Sequence, residues 1–158
     1  MTDARAFRQA MGHFPTGVTV VAARDSDDQP YGLTVNSLTS VSLDPPLVLV
    51  CIDRRASSHD RLTSAPTFAV SILSDGQQEV AQRFAAEPSD TRFDEVPWVP
   101  GPTGDPVLED ATAWLACSRE SVHRAGDHSI VVGRVEAVRQ AGSDALAFYR
   151  GRFGRVAE

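Results

Sequence analysis

Two short stretches of this chain carry side chains whose types and spacing suit work on anions. Asp53-Arg54-Arg55-Ala56-Ser57-Ser58 sets two guanidiniums beside two hydroxyls. Such a set can grip a phosphate through charge-assisted, often bidentate contacts, with the serines completing the oxygens' demand. Gly126-Asp127-His128 puts an imidazole just after a turn-forming pair. A histidine there can hydrogen-bond an amide, or a carbonyl on which negative charge develops, while Asp127 fixes the turn or the ring tautomer. Plainer readings stand beside these: a solvated turn with Ser58 capping a helix, and a loop histidine closing strand ends. A third stretch, Thr34 to Ser42, interleaves Thr34, Asn36, Ser37, Thr39, Ser40 and Ser42 with Val35, Leu38 and Val41. That spacing is near period two and predicts a strand with one apolar and one hydrogen-bonding face.

The elements that must position these groups follow from pattern. Ala6, Phe7, Ala10 and Met11 share one helical face within Asp3–Met11, and Gly12 is a natural stop. Thr16 to Ala23 is a β-branched strand, Arg24 to Pro30 a polar hairpin turn, and Tyr31 opens the next strand. Gly32 allows another group to approach the backbone closely. Asp44-Pro45-Pro46 ends the polar run, and Leu47 to Ile52 then reads as a buried strand that delivers the arginine–serine loop. His59 to Leu62 suggests a short helix stopped at Ala65-Pro66, and Thr67 to Leu73 alternates as a strand. Ser74-Asp75 can cap a helix through Gln77 to Phe84, with Val80, Ala81 and Phe84 inward. Pro88 to Pro106, rich in Pro, Gly and Asp, reads as a long loop, with Trp98 set for burial on its own domain or on a partner. Ala111–Glu120 and Ser129–Arg139 are two strands linked by Ser121 to His128, and Ala145–Phe148 leads into the Tyr149–Phe153 tail. About six strands with two or three short helices predict a mainly β, antiparallel barrel.

At 158 residues one domain is expected over 1–158, with a core of its own. A formal net charge of -6 argues against a nucleic-acid partner. All fifteen basic residues are arginine, which fits a GC-rich coding bias. No apolar run reaches membrane-spanning length and Met1-Thr2-Asp3-Ala4-Arg5 holds no signal core, so a cytoplasmic protein with no membrane partner is expected. Cys51 and Cys117 sit far apart in apolar strands and read as buried reduced thiols; the four histidines lack metal-binding spacing, so no metal is expected.

A set of motifs then runs in order through nearly the whole chain: Phe14-Pro15-Thr16-Gly17-Val18-Thr19-Val20-Val21, Gly32 to Ser37, Ser40 to Leu47, Arg83-Phe84-Ala85, Gly126-Asp127-His128, Gly133-Arg134-Val135 and Tyr149-Arg150-Gly151-Arg152-Phe153. The ordered set resembles the flavin reductase-like domain of the FMN-binding split-barrel family, found in the small reductase components of two-component flavin monooxygenases. The resemblance implies an antiparallel split β-barrel with a Greek-key element and a few short flanking helices, paired as a homodimer. It implies an NAD(P)H:flavin oxidoreductase that takes hydride from NADH or NADPH, passes it to FMN or FAD, and supplies reduced flavin to a separate monooxygenase. Thr34, Val35, Asn36, Ser37 and Ser40 match the flavin-ring shelf, Asp53, Arg54, Arg55, Ser57 and Ser58 the flavin phosphate loop, and Arg83 and Phe84 the flavin tail. His128 matches the catalytic, nicotinamide-side histidine, with Pro15, Thr16, Gly17, Tyr149 and Arg152 closing that side. Phe153 departs from a tyrosine often present there. A flavin-binding electron carrier or sensor without nicotinamide oxidation is the alternative on the same fold.

Overall fold

The structure, a computed structural model, describes residues 1–157. Its first helix, α1 (Ala4–Gly12), starts where Asp3 caps it, the carboxylate accepting from the Arg5 N–H at 3.2 Å. None of its residues is buried. The β-branched run that follows is one stretch of sequence serving two sheets. Thr16–Gly17 (β1) pairs with a C-terminal strand, while Thr19–Arg24 (β2) is hydrogen-bonded on both sides in the main sheet. Val18 marks the break, its carbonyl accepting from Leu73 N–H at 2.9 Å.

The main sheet has seven antiparallel strands: β2, β3 (Pro30–Val35), β4 (Thr39–Leu43), β5 (Pro46–Asp53), β6 (Thr67–Ile72), β9 (Ala113–Ala125) and β10 (His128–Gln140). Their order is β3-β2-β6-β9-β10-β5-β4, so the chain crosses from one edge to the other between β3 and β4 and returns between β5 and β6, as Greek keys do. The sheet curls, because Tyr31 and Val35 of β3 share a core with Val48, Val50 and Ile52 of β5, together with Phe68, Val70, Cys117 and Val131. This is a split barrel with short helices outside it. Burial pushes the Cys117 thiol up to about 12. A second core forms on the other face of β2, where Val18, Val20 and Ala22 meet Leu73, Phe84, Leu108 and Leu146. Burial on both faces explains why Val20-Val21-Ala22-Ala23 of β2 is an unbroken apolar run where an alternating strand would be polar every second residue.

Several expectations change at this level. The polar run Thr34–Ser42 is not one strand. β3 ends at Val35, Asn36–Leu38 is irregular, and a bulge between Ser40 and Ser42 shifts the β4 register against β5. Val35 is therefore core, while Val41 is exposed. β5 alternates, Val48, Val50 and Ile52 inward and Leu49, Cys51 and Asp53 half-buried on the outer face; it is not buried throughout. Cys51 is accordingly half-buried. The loop from Pro88 contains a small hairpin of β7 (Trp98–Pro100) with β8 (Pro106–Leu108), missed because prolines hide a ladder. The helix α3 (Gln78–Ala86) is not capped by the Ser74 hydroxyl; instead the Gln77 side-chain carbonyl accepts from the Ser74 N–H at 3.0 Å. β9 runs to Ala125, so the link to β10 is Gly126-Asp127 alone. Gly126 has φ +61°, the first-position glycine of a tight hairpin. The chain closes with β11 (Leu146–Tyr149) and β12 (Arg152–Arg155), which join β1 in a three-stranded sheet. No helix among the described residues is long and apolar enough to cross a membrane.

Candidate functional site

A cavity of about 970 Å³ opens between α1, the irregular segment after β3, the outer face of β5 and the β11–β12 turn. Its floor carries Asn36, Ser37, Leu49 and Cys51, and Thr16 and Phe148 close one side. Ser37 is locked in place: its hydroxyl donates to the Cys51 carbonyl at 3.0 Å and accepts from the Cys51 N–H at 2.9 Å. The shelf is thereby tied to β5, at the middle of the row Leu49, Cys51, Asp53. At about 3.3 Å per residue, Asp53 lies about 7 Å further along that outer face.

There the arginine–serine loop meets the hairpin tip. His128 stands opposite Asp53 in the β10–β5 register, and the Arg54 N–H donates to the Asp127 carbonyl at 2.9 Å. The His128 Nδ1 lies 2.7 Å from the Asp127 carboxylate, which orients the ring and leaves Nε2 without a partner among the described residues. That contact with His128 lowers the Asp127 pKa. Asp53 is gripped by Arg55, through the backbone N–H at 2.8 Å and the guanidinium at 3.1 Å, and is held down at about 2. The Arg54 and Ser57 side chains are exposed, and Arg54 enters no ion pair among the described residues. His59, not singled out from sequence, bridges α2 (His59–Ser64) to β10, its Nε2 2.8 Å from the Ser129 hydroxyl.

The other expected residues are placed elsewhere. Phe84 is fully buried and packs edge-on against Phe93 at 4.8 Å, so it is core and not a contact surface. Val35 is likewise core. Thr34 spends its hydroxyl on the Ala81 carbonyl of α3 at 2.7 Å. Arg83 reaches the Asp94 carbonyl and Glu87, bracing α3 to the following loop. Ser58 is buried, its hydroxyl 3.4 Å from that of Ser89, and it makes no side-chain cap to α2. Ser40 is exposed on β4. Pro15 and Gly17 are exposed beside the cavity-lining Thr16; Tyr149 and Arg152 are paired across the β11–β12 hairpin, and Tyr149 meets His13 edge-on at 6.5 Å. The sequence reading missed Cys51 and Leu49 as lining residues, although β5 alternation names them once its outer face is known to be open.

A flavin fits this arrangement on two observations. The cavity has the size of a small-molecule site, about 300–1,000 Å³. The Thr16 hydroxyl oxygen that lines it is buried with no hydrogen-bond partner among the described residues, an unmet demand a ligand can satisfy.

With this geometry in view, comparison with known proteins is decisive at the level of class. The flavin reductase like domain matches residues 11–157, and the chain belongs to that family. It is 46% identical over 151 residues to the stachydrine N-demethylase reductase subunit Stc3 of Rhizobium meliloti, covering 96% of this chain and 65% of that protein. A second relative from the same organism is spanned over only 48% of its length. The NADH-dependent FAD reductase of Streptomyces globisporus is 46% identical over 155 residues, covering 95% of this chain and 84% of the relative. The solved structure of the Streptomyces globisporus NADH:FAD oxidoreductase SgcE6, in complex with NAD and FAD fragments, superposes with a TM-score of 0.91 at 44% identity, over 99% of this chain and 96% of that one.

Proposed function

We propose that the chain is an NAD(P)H:flavin oxidoreductase that reduces FMN or FAD and hands it to a separate monooxygenase. The observation that carries this is one continuous face: the Ser37-locked shelf and cavity lead along β5 to a basic loop and to the His128–Asp127 pair. Relatives named as reductase components of monooxygenases, and as NADH-dependent FAD reductases, support it. Bound flavin would supply the electron acceptor for a hydride from the nicotinamide. The protein's share is stacking, orientation and charge stabilisation. Asn36, with backbone N–H groups of the segment that Ser37 pins to Cys51, meets the ring edge; Arg54 and Ser57 meet phosphate. His128, its Nδ1–H held by Asp127, presents Nε2 toward the carboxamide, accepting from its N–H as the neutral ring and donating toward the carbonyl that gains charge as the imidazolium. Two cores sharing β2 support one folding unit over 1–158. Exposed Phe7, Met11 and Phe14 beside the cavity support a homodimer that covers α1.

The test is steady-state oxidation of NADH and of NADPH by the protein, titrated with free FMN and FAD. Saturable turnover that requires added flavin, reduced tenfold or more in His128→Ala, is expected. Tight flavin binding with no dinucleotide oxidation sinks the proposal in favour of an electron carrier or sensor.

A further inference from the structure

The cavity has a charge that the chain as a whole does not. The protein carries 21 acidic against 15 basic residues, yet three arginines, Arg5, Arg8 and Arg150, line the cavity and no carboxylate does. None of the three takes part in an ion pair among the described residues, so their charges are not spent on the protein's own carboxylates. Arg5 and Arg8 are three apart on α1 and so share a helical face. Arg150 is brought to them from the far end of the chain, its N–H donating to the Gly12 carbonyl at the end of α1, 3.0 Å away. Arg150 also sits at φ 52°, a conformation in which Asn or Gly costs less, so nothing local selects an arginine there.

Unpaired guanidiniums around a concave site, in a chain of opposite net charge, are a receptor for a multiply charged organic anion. Arg5 and Gly12 are about 10 Å apart along the helix, at 1.5 Å per residue, more than one phosphate spans. A second basic group, the Arg54 loop, lies beyond His128 on the same face. Two basic clusters flanking one shelf correspond to two anionic ligands. Resting on the flavin reductase reading, we propose that Arg5, Arg8 and Arg150 form the pyrophosphate subsite of the reducing dinucleotide, with the Arg54 loop left to the flavin phosphate.

The test compares NADH with 1-benzyl-1,4-dihydronicotinamide, a reductant with the same ring and no phosphate, at saturating flavin. Arg5→Gln/Arg8→Gln keeps helix-forming residues at exposed positions, and Arg150→Asn keeps a residue that tolerates the turn. The ratio of kcat/KM for NADH to that for the benzyl compound is expected to fall by about tenfold for each guanidinium lost, through KM for NADH. KM for NADH is expected to rise with salt in the wild type and to rise less steeply in the variants. An unchanged ratio, with the wild type still oxidising NADH, overturns the subsite and leaves the reductase standing. A rise confined to KM for flavin also overturns it, by assigning the arginines to the flavin chain. A wild type that oxidises no dinucleotide removes both.

Discussion

Asp53 and Arg55 show how one residue pair shapes the loop at the site. The carboxylate takes both the Arg55 N–H and its guanidinium, which holds its pKa at about 2 against an ordinary 3.8. A depressed folded pKa means the pairing contributes stability above the unfolded value and loses it as pH falls through the folded one. The stability difference between the wild type and Asp53→Asn should thus be nearly constant from neutrality to about pH 4, shrink as pH falls further and vanish only below about pH 2. Urea unfolding across that window measures it. The same pair commits Arg55 to the protein itself, leaving Arg54 as the free guanidinium of two residues that look equivalent in sequence.

At the scale of elements, two glycines of the β9–β10 hairpin do different work. A Cβ on Gly133 would lie 2.6 Å from Phe68 Cζ and 3.1 Å from Cys117 Cβ, both in the closed core. Gly133→Ala should therefore cost about 1–3 kcal/mol in unfolding free energy by overpacking. Gly126 has open space around it but a φ of +61°. Gly126→Ala should cost about 1 kcal/mol through strain and, because it aims His128, lower kcat as well. Denaturant titration beside turnover separates the two: a Gly133→Ala variant of unaltered stability would contradict the packing drawn here. The cores of these strands were legible in the sequence, as were α1 from its helical spacing, β6 from its alternation and the turn after β2 from its polar run, but the reach of β9 to Ala125 was not. The bulge in β4 and the break at Val18 were not, because each depends on which second strand the backbone meets.

Across the whole molecule, α1 is the one helix that contributes nothing to either core among the described residues, with no buried residue and with Phe7 60% and Met11 51% exposed. A nine-residue helix with an apolar stripe and no partner is unstable alone in water. The proposed dimer predicts that Phe7→Glu/Met11→Glu shifts the protein toward monomer in sedimentation velocity and loosens the cavity that α1 walls. A wild-type monomer at micromolar concentration would refute that assembly.

What the residues determined by themselves is local: the period-two strands, the turn glycines, the helix stop, and the ordered motifs that mark the family. The basic and hydroxyl character of the Arg54–Ser57 loop and the pairing of His128 with Asp127 belong to the same class, since neighbours in sequence are neighbours in space. Tertiary structure alone decided that Phe84 and Val35 are core, that Ser58 is buried and that Cys51 faces a cavity. It also brought Arg150 to Arg5 and Arg8. The physical reason is that a side chain's face and company are set by strand register and sheet curvature, sums over pairings made by distant segments, which no window of sequence contains.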